Sequence, residues 1–220
     1  MCYRFTLASD PIQIAEFFEL IDVPGLVPRY NIAPRQLISV VGRKNASPAR
    51  GIVNMVWGFV PRWSPDATSG PRPMNARSET VRTSPAFRDS FRDRRCLVPA
   101  DGFYEWEDTP DGKQPWHFRR PDRAPFAFAG IWDVWKGADR PLYSAAILTT
   151  TPNDVVRPLH DRMPVVIPRE RYSTWLDPKS NPEELQSILK PADPDFFIRV
   201  AVKKTVNKVT VEGPQLLEAA

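Results

Sequence analysis

Cys2 has the most distinctive chemistry in this sequence, because it directly follows the initiator Met1. A cysteine side chain is small, so we expect the initiator to be removed, either by an aminopeptidase or by self-cleavage. The mature chain would then begin with an amine and a thiol on adjacent carbons. Such a 1,2-aminothiol condenses with an aldehyde to an imine, and its thiol then closes the ring to a thiazolidine. Position alone also allows an inert cysteine, because burial and reactivity decide what a thiol does.

Two further residues have side chains suited to proton transfer near neutral pH. Glu105 lies between Tyr104 and Trp106, and aromatic walls remove water from a carboxylate and raise its pKa. The alternative is an edge-strand glutamate that points into water. His160 lies in the segment 158–164, beside Asp161 and Arg162 and after the polar run 149–154, where an imidazole can act as an acid or a base. The alternative for this histidine is a structural role.

The segment 73–80 is rich in polar groups, and its pattern places it between a loop and a helix. Asn75 can donate and accept hydrogen bonds, Arg77 carries a fixed positive charge, and a helix start presents backbone N–H groups to anions. The alternative is an ordinary helix cap by Asn75 or Ser78, with Arg77 in water.

The other cysteine and the other histidine favour structural roles, and we expect no metal and no cofactor. Cys96 lies in an apolar run and His117 lies between two aromatic residues, so both should be buried. The cysteines and histidines lack the CxxC or HxxxH spacing of a zinc site. The phosphate-binding motifs GxGxxG and GxxxxGK are also absent.

The composition is that of a soluble globular protein. The chain has 220 residues, of which 42% are hydrophobic and 25% charged, enough to form a core. Its apolar runs are much shorter than a membrane span, so no membrane association is expected. Two cysteines without a secretion signal indicate a reducing compartment. We therefore expect a cytoplasmic protein.

Positive charge is concentrated in the first half of the chain. Residues 1–100 hold 14 Lys and Arg against 8 Asp and Glu, whereas residues 101–220 hold 16 against 18. Arg outnumbers Lys by 22 to 8, and the planar guanidinium suits phosphate. A GC-rich genome would produce the same bias, so the charge is weak evidence for nucleic acid.

Frequent prolines and short apolar runs predict strands joined by irregular loops. Predicted strands cover residues 37–41, 51–59, 95–100, 116–119, 126–132, 143–149, 165–167 and 197–202. Predicted helices cover residues 12–20, 78–87, 169–176 and 182–189, while 61–74 and 107–115 should be surface loops. The mixture indicates an α+β (mixed α/β) fold: a single compact domain over residues 1–220, with a curved, partly closed, mostly antiparallel sheet and peripheral helices.

Six segments, in order along the chain, resemble the SOS response-associated peptidase (SRAP) family. They are residues 1–2 (Met-Cys), 29–34 (Arg-Tyr-Asn-Ile-Ala-Pro), 57–61 (Trp-Gly-Phe-Val-Pro), 75–80 (Asn-Ala-Arg-Ser-Glu-Thr), 96–106 and 160–164 (His-Asp-Arg-Met-Pro). The tail at 206–209 is similar to the Val-Asn segment of the family. One departure stands beside the cysteine, where the family usually has Gly and this chain has Tyr3.

The resemblance implies an enzyme of the DNA-damage response that binds single-stranded DNA containing abasic sites. Such proteins shield the lesion by forming a covalent thiazolidine cross-link through the N-terminal cysteine. The catalytic residues of the family fall on Cys2, Asn75, Glu105 and His160. The resemblance further implies peptidase-like self-cleavage at Cys2 and an AP-lyase side reaction.

The family pattern matches further residues to DNA contacts. Arg4 and Arg77 match backbone contacts, whereas Pro34 and Trp63 are candidates to stack on or wedge against bases. Phe59 and Trp57 are weaker candidates, and we expect Trp57 to lie in the core. We expect a monomer located in the cytoplasm and associated with the bacterial nucleoid.

Two other functions stay open at this point. A cysteine peptidase or N-terminal-nucleophile hydrolase that acts on peptides in trans would use the same Cys–His pair. A single-stranded DNA binder that has lost its chemistry is also possible, with Tyr3 as the indication. Neither a basic half nor aldehyde chemistry is needed by a trans-acting peptidase.

Overall fold

The computed structural model describes residues 3–43, 47–67, 70–137 and 140–220. Its strands are β1 (Phe5–Leu7), β2 (Arg29–Ile32), β3 (Leu37–Arg43), β4 (Arg50–Trp57), β5 (Asn75–Arg77), β6 (Arg95–Ala100), β7 (Gly102–Thr109), β8 (Gly112–Arg119), β9 (Phe126–Lys136), β10 (Pro141–Thr150), β11 (Met163–Pro164), β12 (Val166–Ile167) and β13 (Ile198–Ala201). Its α-helices are α1 (Pro11–Phe18), α2 (Arg88–Asp93), α3 (Tyr172–Leu176) and α4 (Pro182–Ile188).

A ring of strands closes into a barrel because β10 pairs with both β9 and β4. The order around the ring is β10, β4, β3, β6, β9 and back to β10, and within it only the β10–β4 pair is parallel. The α+β fold with a curved, mostly antiparallel sheet and peripheral helices is thereby confirmed, and the ring closes fully where partial closure was predicted. One domain over the whole chain stays a prediction.

A second sheet, in the order β13-β8-β7-β1-β2, packs on the barrel. Aromatic rings fill the contact: Phe103 of β7 lies 6.1 Å from Phe128 of β9, and Phe5 of β1 lies 5.3 Å from Trp57 of β4. Trp57 is fully buried, as expected from its position in a strand. These contacts bring β1 and β7, and with them the start of the chain and Glu105, against the barrel.

The chain passes from the barrel to the second sheet at Asp101 and Gly102, and Gly102 is the first residue of β7. A Cβ atom there would lie 2.3 Å from the Nε2 atom of His117 and 2.5 Å from the carbonyl oxygen of Phe118. Only glycine allows this close approach of β7 to β8. His117 is buried, as expected, and burial lowers its pKa to about 3, so the ring is neutral.

Capping side chains define the starts of α1 and α4, and one buried arginine of β6 binds α2 and α3. The side chains of Asp10 and Asn181 accept from backbone N–H groups in the first turns of α1 and α4, at 2.8 and 2.7 Å. Arg95 donates to the carbonyl of Phe91 in α2 at 2.5 Å and to that of Trp175 in α3 at 2.7 Å. Burial lowers the pKa of Arg95 to about 10, which still leaves it charged at pH 7.

Two predicted elements are wrong. Residues 78–87 form successive turns and not a helix, and α2 begins only at Arg88. Residues 107–115 are not a loop, because β7 and β8 continue through them as a hairpin with Thr109 opposite Gly112. No helix among the described residues is long and apolar enough to cross a membrane.

Candidate active site

Cys2 lies outside the described residues. Followed back toward the amino terminus, the described chain approaches Glu105. β1 pairs antiparallel with β7, and the N–H of Tyr104 donates to the carbonyl of Arg4 at 3.0 Å. Because the strands run in opposite directions, each step from Arg4 toward the amino terminus is a step from Tyr104 toward Glu105. The side chain of Tyr3, the first described residue, is exposed.

Glu105 is a buried carboxyl with an altered pKa. It lies in β7 opposite Trp116 of β8 and is 3% exposed. Burial, the largest cause, raises its pKa to about 7, and the negative charge of Asp161 acts in the same direction. A carboxyl with this pKa can give and take a proton at neutral pH.

The raised pKa was expected from aromatic walls, and that cause is wrong. Side chains alternate between the two faces of a strand, so Tyr104 and Trp106 lie together on the face opposite Glu105, with ring centroids 6.3 Å apart. Glu105 shares the face of Phe103, which packs against the barrel. The packing of the two sheets therefore removes water from Glu105.

His160 lies in the loop between β10 and β11, which is held by its own hydrogen bonds. The buried Asn153 accepts from the N–H of Val156 at 3.1 Å and donates to the carbonyl of Ala192, also at 3.1 Å. The N–H of His160 then donates to the carbonyl of Val156 at 3.1 Å. The His160 side chain is 29% exposed, and burial is the main cause that lowers its pKa.

The Nδ1 atom of His160 has two neighbours in its own loop. The N–H of Arg162 lies 2.9 Å away, and a carboxylate oxygen of Asp161 lies 2.8 Å away. The Arg162 bond requires a lone pair on Nδ1, whereas the Asp161 bond requires a proton there. When the neutral ring accepts from Arg162, its one proton is on Nε2.

Arg162 also ties this loop to the segment that follows β5. Its guanidinium binds both carboxylate oxygens of Glu79, at 2.7 and 2.9 Å, and donates to the carbonyl of Thr149 at 2.6 Å. The hydrogen bond from Arg162 is the largest cause that lowers the pKa of Glu79. The paired geometry fixes the position of the loop relative to β5 and β10.

Asn75 and the His160 loop flank the end of β10. The first part of β10 pairs with β9 and β4, whereas its last residues pair with β5 on one edge and with β11 on the other. Asn75 lies opposite Ile147 and Pro164 lies opposite Thr149. The half-buried Asn75 and His160 thus belong to one end of the barrel. Asp161, next to His160, contributes to the raised pKa of Glu105 through its negative charge.

The residues expected to contact DNA differ in their surroundings. Arg77 is exposed, Trp63 is 61% exposed and Pro34 is half-buried. Arg4 instead is held within the fold, since its guanidinium donates to Asn31 at 2.6 Å and to the carbonyl of Val206 at 3.0 Å. Burial lowers the pKa of Arg4. Phe59, also considered for stacking, is fully buried.

The fold supports Trp63 through the residues around it. The N–H and the guanidinium of Arg62 both donate to the buried Asp133 at 2.9 Å. The indole of Trp135 donates to the carbonyl of Ser64 at 2.7 Å. Two contacts from β9 therefore hold the segment on either side of an exposed aromatic ring.

Sequence reasoning did not identify Asn31, Glu79, Asp161 and Arg162 as residues that organise the site. Asn31, Glu79 and Asp161–Arg162 lie inside three of the segments that carry the family resemblance, and that position was the available signal. Among the described residues, no three His, Cys, Asp or Glu side chains are grouped as metal ligands would be.

One family model and several relatives that share one description match this chain. A family model described as SOS response associated peptidase (SRAP) matches residues 1–209. The abasic site processing protein YoqW of Bacillus subtilis (strain 168) is 37% identical over 225 residues, and the match covers 100% of both chains. The abasic site processing protein HMCES of Gallus gallus is 30% identical over 223 residues, covering 86% of this chain and 66% of that protein. YedK of Escherichia coli (strain K12), with the same description, is 27% identical over 199 residues, covering 89% and 86%.

Solved structures share the fold. A crystal structure of a protein from Bacteroides thetaiotaomicron has a TM-score of 0.86 at 23% identity and covers 100% of both chains; at this identity the likeness concerns the fold alone. One from Bordetella bronchiseptica has a TM-score of 0.80 at 26% identity and covers 92% of this chain and 100% of that one.

Proposed function

Because this chain belongs to the SOS response associated peptidase (SRAP) family, several of whose members are named abasic site processing proteins, we propose that it joins abasic sites in single-stranded DNA covalently to Cys2. The observation that carries this proposal is the buried Glu105, with a pKa of about 7, on the strand along which the amino-terminal segment runs.

The proposed reaction needs no oxidant and no cofactor. The abasic sugar opens to an aldehyde, and the Cys2 amine adds to its carbonyl carbon. Loss of one water leaves an imine. The thiol then adds to the imine carbon, its proton passes to the nitrogen, and a thiazolidine results. The two additions occur at one carbon, so holding both groups next to it contributes much of the rate.

The three other catalytic residues have separate roles in this proposal. His160 donates a proton to the ring oxygen of the sugar and so favours the open aldehyde. Glu105 moves protons at the amine and the imine, for which a pKa of about 7 is well matched. Asn75 holds the amino terminus by hydrogen bonds.

Three further residues would hold the DNA. Arg77 neutralises phosphate, and Trp63 and Pro34 stack on or wedge against bases. The internal bonds of Arg4 make it a support of this surface as well as a candidate phosphate contact. We place the protein in the cytoplasm, at the nucleoid, and as a monomer.

Two side activities follow from the same chemistry. Before the reaction, the Met1–Cys2 peptide bond is hydrolysed, which consumes one water and is the peptidase-like step. After imine formation, the sugar can lose its 3′ phosphate by β-elimination, which is an AP-lyase reaction. Ring closure by the thiol removes the imine and suppresses strand scission.

The test is a denaturing gel of the protein incubated with single-stranded DNA that contains one abasic site. We expect a heat-stable shifted band with the wild type and none with Cys2→Ala. Cys2→Ser keeps the amine, so it should give only an imine that borohydride traps. Equal heat-stable cross-linking by Cys2→Ser would exclude the thiazolidine. No band with the wild type, together with cleavage of added peptides, would favour a trans-acting peptidase instead.

A further inference from the structure

A carboxylate beside His160 has no part in the reaction proposed above. Asp161 lies 2.8 Å from Nδ1 of His160, and the N–H of Arg162 lies 2.9 Å from the same atom. A ring nitrogen carries either a lone pair or a proton, so only one of these bonds forms at a time. The ring therefore has two bonding states within its own loop.

The two states differ in what the other ring nitrogen can do. Because the loop occupies Nδ1 in both states, Nε2 is the atom that exchanges protons with a reactant. When Nδ1 accepts from Arg162, the neutral ring must keep its one proton on Nε2. When Nδ1 donates to Asp161, Nε2 can hold a proton or release it, and the Nδ1 bond persists throughout.

We propose that Asp161 is a positioning residue that holds the Nδ1 proton of His160 while Nε2 donates to the ring oxygen of the abasic sugar. The inference rests on the proposed function. In this step the C1′–O4′ bond breaks, and O4′ receives its electron pair together with the proton from Nε2. The C1′ hydroxyl becomes the aldehyde as its proton passes to water, and His160 regains a proton from water afterwards.

The charges around the ring agree with this role. Burial lowers the pKa of His160, and within the loop Arg162 lowers it further while Asp161 raises it. The charge of Asp161 also contributes to the raised pKa of Glu105 in β7. Arg162 is itself bound by Glu79 at 2.7 Å. One exposed carboxylate thus favours the protonated form of both acid–base groups.

The experiment is ¹⁵N NMR of the histidine rings in the free protein, with Asp161→Asn as the test variant. The chain has 2 histidines, and burial keeps the pKa of His117 at about 3, so a ring whose ¹⁵N signals respond to pH well above that value is His160. We expect Asp161→Asn to move the His160 Nδ1 signal toward the unprotonated range. Asp154→Asn, which removes another exposed carboxylate from the same loop, should leave it unchanged.

Single-turnover cross-linking completes the test. Asp161→Asn should lower the rate about tenfold with unchanged affinity for abasic DNA, and Asp161→Glu should recover most of the rate. An unchanged Nδ1 signal, or an unchanged rate in Asp161→Asn, would overturn the role of Asp161. If the wild type forms no cross-link at all, the proposed function fails, and the NMR result separately decides whether Asp161 holds the ring.

Discussion

Burial shifts the pKa values of Glu105 and His160 in opposite directions. It raises the pKa of a carboxyl and lowers that of an imidazole, because in both cases it disfavours the charged form. Glu105 reaches about 7, and the pKa of His160 falls below its ordinary value. Near neutral pH Glu105 can therefore release or accept a proton at little cost in free energy, as the successive steps at one carbon require.

At the residue scale, Glu105→Gln should stabilise the protein at high pH. The folded carboxyl has a pKa of about 7, against an ordinary value of 4.5. The unfolded chain thus loses its proton first, and wild-type stability falls as pH rises from about 4.5 to about 7. The full penalty is about 3 kcal/mol above pH 7 and none below pH 4. Urea unfolding at pH 4 and at pH 8 measures it.

Glu107→Gln is the matched control for this prediction, because Glu107 is an exposed residue of the same strand. It should change the unfolding free energy little at either pH. If Glu105→Gln gives the same small change at both pH values, folding does not raise the pKa of Glu105, and its assignment as a proton carrier at neutral pH is wrong.

At the scale of elements, the site depends on contacts between segments far apart in sequence. Asn31 of β2 is fully buried, and its amide donates to the carbonyls of Val206, Lys208 and Val211 at 3.2, 3.0 and 3.0 Å. Its oxygen accepts from Arg4 at 2.6 Å. The family motif at 29–34 and the C-terminal tail therefore bind each other through Asn31. The same side chain binds Arg4 and so holds the start of the chain.

Asn31→Ala should release the tail from the second sheet. Loss of the amide removes the donor of the Lys208 and Val211 carbonyls and the acceptor of the Arg4 guanidinium, at a cost of about 2 kcal/mol. Limited proteolysis should then cut the C-terminal segment faster than in the wild type. Asn54→Ala removes an exposed asparagine bonded to Ser39 at 3.0 Å and should not accelerate cleavage. Equal cleavage of both variants would show that the tail is held by other contacts.

Elements with a clear apolar pattern could be predicted from the sequence, and those defined by distant partners could not. The barrel strands were found because their apolar runs are buried, and the α4 cap was found from Asn181. The segment 78–87 has helix-like composition, but Arg162 binds Glu79 and Gln186 donates to the carbonyl of Ser78, at 3.1 Å. These tertiary bonds favour turns over a helix.

The hairpin at 107–115 was missed because its polarity resembles that of a loop. Both faces of its tip are exposed to water, so Glu107, Asp108 and Lys113 carry polar side chains although they belong to paired strands. The turn residues Pro110 and Asp111, followed by Gly112 with a φ of 96°, would have been the better signal. For the site, the sequence indicates which residue types can transfer protons. It does not predict the burial of Glu105, because that burial depends on how the two sheets pack.

At the scale of the whole molecule, excess positive charge and exposed aromatic surface suit a single-stranded nucleic acid. Residues 1–100 carry 14 Lys and Arg against 8 Asp and Glu, and they include the exposed Arg77 and Trp63. Many other arginines are neutralised by partners, as Arg92 is by Asp93 at 2.9 Å. The affinity for DNA should therefore depend on few arginines.

Arg77→Ala should weaken binding of single-stranded DNA and reduce its salt dependence. Removing one phosphate contact lowers the slope of log affinity against log salt by about 1. Fluorescence anisotropy over a salt series measures both quantities. Arg92→Ala, an exposed and ion-paired residue of α2, should leave the slope unchanged. Equal slopes for wild type and Arg77→Ala would remove Arg77 from the DNA surface.

The central claim is that the α-amine and the thiol of Cys2 together capture the abasic aldehyde. Intact mass spectrometry of the purified cross-link tests it most directly. We predict the mass of the chain without Met1 plus that of the DNA, less one water, with the modification on Cys2 after digestion and no borohydride needed. A conjugate that retains Met1, or that is attached through another residue, would contradict the account.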